Sequence, residues 1–181
     1  MFRIVSCFLL FIAPALLANS LTTTQVQETL ALQFSTEANG TFVQKKYFAA
    51  LKKPFISEGQ FRVSGTEFDW LTKKPVNSAL FIRGNRIFSE DNIGNQVEIS
   101  GAKPVVELLK AVTTGHLETI ATQFGFFQTE QQQCVLLTPK AKSLSDVIAQ
   151  IQLCGRGVVS DISVLEISGN KTEIQLLYNR D

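Results

Sequence analysis

The 181-residue sequence has a single histidine, His116, and only three cysteines, none spaced as C-x-x-C. That scarcity argues against a zinc site and against dithiol redox chemistry. There is no G-x-S-x-G elbow and no glycine-rich phosphate loop. His116 stands in Thr113-Thr114-Gly115-His116-Leu117 with no nucleophile beside it, and a place at a helix end, where the helix dipole favours a cation, is its expected role. The acids Glu58, Glu67, Asp69 and Glu98 fall on strand faces expected to be wet, not paired in an apolar cleft. No catalytic residue, metal or cofactor is expected, and the chain does not read as an enzyme. Charge of one sign is also lacking. Seventeen Lys and Arg against sixteen Asp and Glu leave +1, so no basic field exists to hold nucleic acid. Five Pro and eleven Gly exclude a collagen-like chain, and 45% hydrophobic residues exclude disorder and suit one domain with a real core.

What the sequence does have begins with an apolar leader. Arg3 precedes Ile4 to Leu17, a run broken only by Ser6 and Pro14. About 14 residues is short of the roughly 20 that cross a bilayer and suits a signal-peptide core. Ala15-Leu16-Leu17-Ala18 places cleavage after Ala18, with Ser20 as the rival site, leaving residues 19–181 as one exported domain. Cys7 lies inside the apolar run, not after it, so a lipid-modified cysteine is not expected. Without residues 1–18 the chain keeps 16 basic and 16 acidic residues.

Beyond the leader, Val26, Leu30 and Phe34 recur at helical spacing, predicting an amphipathic helix over 20–34 that ends at Asn39-Gly40. From Thr41 to Ile99 the period is two. Phe55, Phe61 and Val63 share one face opposite Glu58, Gln60 and Arg62, and Phe68 shares a face with Trp70. Ala79–Ile82 turns at Gly84-Asn85 into Arg86–Phe88, and Gly94-Asn95 leads into Val97–Ile99. Helical spacing returns at 103–123. Pro104 suits a first turn, Val105, Leu108, Leu109 and Val112 form a stripe, Gly115 closes the helix, and a second short helix is expected from Leu117. Strands resume at 124–127, 134–138, 147–154, 158–167 and 172–178. Ten or eleven strands for so few helices predict a mainly β protein, a strongly curved antiparallel sheet wrapping helices on its concave face. Lys45-Lys46, Lys52-Lys53 and Lys73-Lys74 are three basic pairs, expected to be solvated, that anionic head groups or a partner could use.

Cys134 and Cys154 in an exported domain read first as a disulfide, with two buried free thiols as the alternative. If Cys134–Thr138 pairs antiparallel with Gln150–Cys154 through a turn near Leu144, Val135 faces Leu153 and Leu137 faces Ile151. The two cysteines then meet on the other side, so one register satisfies both patterns.

The order of motifs resembles the LolA family of outer-membrane lipoprotein carriers. Gly40-Thr41-Phe42-Val43-Gln44 is followed by the Gly59-Gln60-Phe61-Arg62-Val63 strand, Phe68-Asp69-Trp70, Pro75, and later Val135-Leu136-Leu137-Thr138-Pro139-Lys140. The resemblance implies an unclosed β-barrel with a helical lid over an apolar cavity that shields acyl chains in the periplasm. Its cargo would be an acylated lipoprotein or another envelope lipid, taken from an inner-membrane ABC transporter and handed to an outer-membrane receptor by a monomer. It implies a cavity lined by Phe42, Phe61, Val63, Phe68, Trp70, Leu80, Ile82, Leu108, Leu109, Val112, Leu137 and Ile151. A sensor or scaffold on the same fold is a third reading. One departure stands out. Well-known members carry an Arg-Pro before the F-x-W pair, with the arginine helping to hold the lid; here the stretch is Val63-Ser64-Gly65-Thr66-Glu67.

Overall fold

The computed structural model describes residues 19–84, 86–99 and 103–179, so the expected leader and Cys7 lie outside the described residues. Twelve strands are present: β1 (Ser20–Leu21), β2 (Glu37–Tyr47), β3 (Phe55–Ser64), β4 (Glu67–Lys74), β5 (Ser78–Arg83), β6 (Arg86–Glu90), β7 (Gln96–Glu98), β8 (Phe124–Gln128), β9 (Cys134–Pro139), β10 (Ile148–Arg156), β11 (Val158–Glu166) and β12 (Lys171–Tyr178). Helices α1 (Thr23–Leu30), α2 (Lys103–Thr114) and α3 (Lys142–Ser145) join them, with a 3-10 turn at Leu117–Ile120. The strands form one antiparallel sheet in the order β1-β8-β9-β10-β11-β12-β2-β3-β4-β5-β6-β7. No pairing between β1 and β7 is seen among the described residues, so the barrel is not closed. The strand beyond the expected eleven is β1, whose two residues pair with Phe127 and Phe126 and are too few to show a period.

Helix α1 starts where Thr22 and Gln25 cap each other reciprocally, the Thr22 hydroxyl accepting from the Gln25 N–H and the Gln25 amide oxygen from the Thr22 N–H. It ends four residues before the sequence pattern suggests, with Ala31 in the left-handed region. Val26 and Leu30 are fully buried, but Phe34, past the helix end, is 53% exposed. In α2 the buried face runs through Val106, Leu109 and Thr113, flanked by Leu108 and Val112; Val105, expected in the stripe, is exposed. Two adjacent valines made the phase of the first turn ambiguous. Helix α1 packs against β9 and β10, and α2 against β2, β3 and β11, so both lie on the concave face.

Asn39-Gly40 is not a turn. Both residues lie inside β2, and the glycine serves a close approach. Gly40 sits opposite Phe61, and Phe42 sits opposite Gly59 across the β2–β3 ladder. A Cβ on Gly59 would lie 2.1 Å from the Leu71 carbonyl oxygen and 2.6 Å from the Phe42 ring. One on Gly40 would lie 2.2 Å from the Leu177 oxygen and 2.8 Å from Phe61. Each phenylalanine thus lies over the other strand's glycine, and the two pairs let the sheet bend sharply here. Gly59→Ala must move a backbone carbonyl as well as a ring, and the expected cost is about 1–3 kcal/mol in urea denaturation.

Cys134 and Cys154 form a disulfide, with Cα atoms 4.1 Å apart. The register around them is the expected one: Leu137 opposite Ile151, Val135 opposite Leu153. All four of those aliphatic residues are fully buried, and the disulfide lies on the opposite face of the sheet.

Candidate functional site

The concave face of β2, β3 and β4 carries an aromatic stack. Strand alternation sends Phe42, Phe61, Phe68 and Trp70 inward, and cross-strand pairing sets Phe61 opposite Trp70 and Val63 opposite Phe68. The Phe42 and Trp70 rings stack with centroids 3.9 Å apart; Phe61 and Phe68 flank the indole at 6.2 and 6.3 Å. Tyr178 closes the group edge-on to Phe61 at 5.2 Å, donating its hydroxyl to the Val159 carbonyl. Burial pushes the Tyr178 phenol pKa up, so it stays a neutral donor.

Helix α2 packs against β2, β3 and β11, and its buried side chains join the stack in one apolar cluster. Of the twelve residues expected to line a cavity, Phe42, Phe61, Val63, Phe68, Trp70, Ile82, Leu108, Leu109, Val112, Leu137 and Ile151 are buried together in one apolar cluster. Leu80, on the more open β5, is half-buried against it. The eleven buried residues are each 9% exposed or less. Among the described residues, clefts of about 300–450 Å³ open at the surface; Phe61 and Phe42 each reach one of them, and Ala111 and Thr114 of α2 line a third.

Backbone hydrogen bonds tie the lid segments to one end of the sheet. The Gly157 N–H donates to the Leu30 carbonyl (2.9 Å), the Gln33 N–H to the Gly157 carbonyl (2.8 Å), and the Ser35 N–H to the Thr114 carbonyl (3.0 Å). The end of α1 is thereby fastened to the β10–β11 turn and to the end of α2. Gly115 (φ +78°) makes this possible, since a Cβ there would lie 2.7 Å from the Gln33 carbonyl oxygen.

On the outer face one expectation is overturned. Asp69 is buried rather than wet, because Arg62 and Arg83 both reach it, at 2.9 and 2.5 Å. Two guanidinium partners compensate the desolvated carboxylate. Glu58, Glu67 and Glu98 are exposed, Glu58 paired with Lys74 and Glu98 with Arg86. No cluster of three or more His, Cys, Asp or Glu able to hold a metal occurs among the described residues. The interior formed by the described residues is an apolar cluster.

The family model for the outer membrane lipoprotein carrier protein LolA matches residues 33–179. The chain belongs to the LolA family. Among solved structures it is similar to a LolA superfamily protein from Nitrosomonas europaea, with 10% identity, a TM-score of 0.50, and coverage of 89% of this chain and 94% of that one. It is also similar to an outer membrane lipoprotein-sorting protein domain from Vibrio parahaemolyticus, with 8% identity, a TM-score of 0.44, and coverage of 87% and 92%. No curated protein matches the sequence. Likeness at this identity speaks for the fold alone.

This LolA-family chain lacks the arginine described above, and Arg62 is committed to Asp69 on the outer face. The lid contacts visible instead are the backbone bonds to Gly157 and Thr114 and the Gln123 amide donating to Glu107 of α2 (2.7 Å). In the sequence Gly115 reads only as a helix end and Gly157 is not singled out; both adopt positive φ, +78° and +80°.

His116 lies between α2 and the 3-10 turn, where its ring stacks on Phe34 at 5.1 Å and its Nδ1 lies 2.8 Å from Glu118. It touches none of the aromatic stack. His116→Gln is expected to leave lipid binding unchanged within error, checked by titration with a fluorescent fatty acid.

Proposed function

We propose that the protein is a periplasmic carrier that shields the acyl chains of lipoproteins between the inner and outer membranes, without covalent chemistry. The supporting observation is an apolar concave sheet face, rich in aromatics, covered by an amphipathic helix in a chain of the LolA family. No helix among the described residues is long and apolar enough to cross a membrane. Acyl chains must be buried to cross water, at about 0.8 kcal/mol per CH₂.

Magnitudes decide how such a closed interior could load. Each backbone bond fastening the lid contributes about 0.5–1.5 kcal/mol net. Each large aliphatic side chain buried by α2 contributes about 1.5–3 kcal/mol. The apolar contact therefore dominates, and lifting α2 into water is costly. Cargo removes that cost by taking the place of α2 against Phe42, Phe68 and Trp70. Loading is an exchange of one apolar partner for another.

A second reading, a carrier of another envelope lipid, draws on the missing arginine between Val63 and Phe68. The test is mass spectrometry of material co-purified from the periplasm, alongside fluorescent fatty acid titration. Acylated peptides support the lipoprotein reading and a glycolipid or polyene lipid the second. Absence of any lipid, with no fatty acid uptake, removes both.

A further inference from the structure

Three turns that neighbour one another at one end of the sheet carry exposed apolar side chains among lysines. The strand order places the β11–β12 turn, the β2–β3 loop and the β4–β5 turn side by side. Leu51, Phe55, Ile56, Val76 and Ile167 are each 50–61% exposed there. Phe55 and Ile56 are consecutive in a strand and so point to opposite faces, yet both are exposed. The reason is that the β3–β4 pairing begins only at Glu58–Lys74, so this end of β3 projects past β4. The apolar residues therefore form projecting tips, not the walls of a groove.

Residues 48–54, 75–77 and 167–170 contain no Asp or Glu. The acids next to them are already engaged: Glu58 by Lys74, Glu166 by Lys46, Glu173 by Lys171. Among the described residues Lys52, Lys53 and Lys73 are exposed and have no ion-pair partner. Acidic side chains return at the β6–β7 turn, with Glu90 and Asp91, and on the other side at Asp146, which is paired with Lys142; these bound the patch.

We infer that this end of the barrel docks on an anionic phospholipid surface. The apolar tips enter the head-group region while the lysine ammoniums remain at the level of the phosphates. Binding of this kind grows with inserted apolar area and with attraction to anionic lipid, and is screened by salt. A protein partner would favour a flat or concave apolar site, whereas separate tips ringed by free cations complement a fluid, negatively charged layer. The observations do not depend on the carrier reading, although a carrier that docks on membranes is the natural case.

The experiment is flotation of the purified protein with vesicles of phosphatidylethanolamine and phosphatidylglycerol, compared with vesicles of phosphatidylcholine. Binding is expected to the first and not the second, and to fall as salt rises. The triple variant Lys52→Glu, Lys53→Glu, Lys73→Glu should bind roughly tenfold or more weakly. Phe55→Ser with Ile56→Ser should also lose binding, while Leu177→Ser, an exposed leucine on the outer face elsewhere, should not. All of these positions are exposed, and thermal unfolding confirms that each variant folds. Failure to float with phosphatidylglycerol vesicles overturns the inference, as does equal binding to both vesicle types. Capture of an acidic protein without vesicle binding overturns it too. Fatty acid uptake without vesicle binding leaves the carrier reading standing alone; vesicle binding without uptake leaves the docking surface standing alone.

Discussion

Phe68→Ala is expected to lower the unfolding free energy by about 3–5 kcal/mol, measured by thermal or urea unfolding of the lipid-free protein. Phe68 is fully buried, opposite Val63 on one side and Ile82 on the other, with Trp70 two residues along the same face. A lined but empty cavity would have left part of the ring free and made its removal cheap. Phe68 keeps no exposed surface, so truncation opens a void that the stiff sheet around it closes only in part. The same change should alter fatty acid uptake if acyl chains enter the apolar cluster to which Phe68 belongs. A loss below about 1 kcal/mol would mean that the interior of the free protein is open rather than packed.

Replacing both Cys134 and Cys154 by serine is expected to cost about 3 kcal/mol, checked by urea unfolding of oxidised wild type against the double variant. The bond spans a sequence separation of 20, and a loop of that length restrains the unfolded chain by an amount of this order. The native sheet should survive, since Val135, Leu137, Ile151 and Leu153 hold the β9–β10 register from the concave side. Alkylation of unreduced, unfolded protein at both cysteines would show that the bond is not formed in the cell.

The β9–β10 register was legible in the sequence because two independent patterns, aliphatic alternation and a cysteine pair, admit one solution. The hairpins at Gly84 and Gly94 were legible for a similar reason, a turn glycine between alternating runs. Gly40 was misread because a glycine under a ring and a glycine in a turn look alike in sequence; only the partner strand, 21 residues away at Phe61, distinguishes them. Phe34 continued the helical spacing by coincidence, after Ala31 had already ended α1. Asp69 was read as wet because its two arginines come from different strands, β3 and β5, and no local pattern joins them. Eleven of the twelve residues proposed to line a cavity are buried in one apolar cluster; alternation places them on one face of the sheet but does not encode how closely α2 approaches it.

The place of β12 has a consequence for how the chain assembles. It follows the other described strands in sequence, yet it lies in the middle of the sheet, between β11 and β2, with Tyr178 paired to Gly40. The strands β2 to β7 form one meander and β8 to β12 another, each knit from neighbours in sequence. Among the described strands, the β2–β12 seam is what joins the two meanders in the sheet, and it must wait until β12 has been made. Such distant pairing is slow to find. Until it forms, β2 offers an unpaired edge to any other strand, including that of a second unfinished copy. A chain arrested before Lys171 would therefore expose two further open edges, at β2 and β11, and is expected to aggregate rather than form a smaller folded domain.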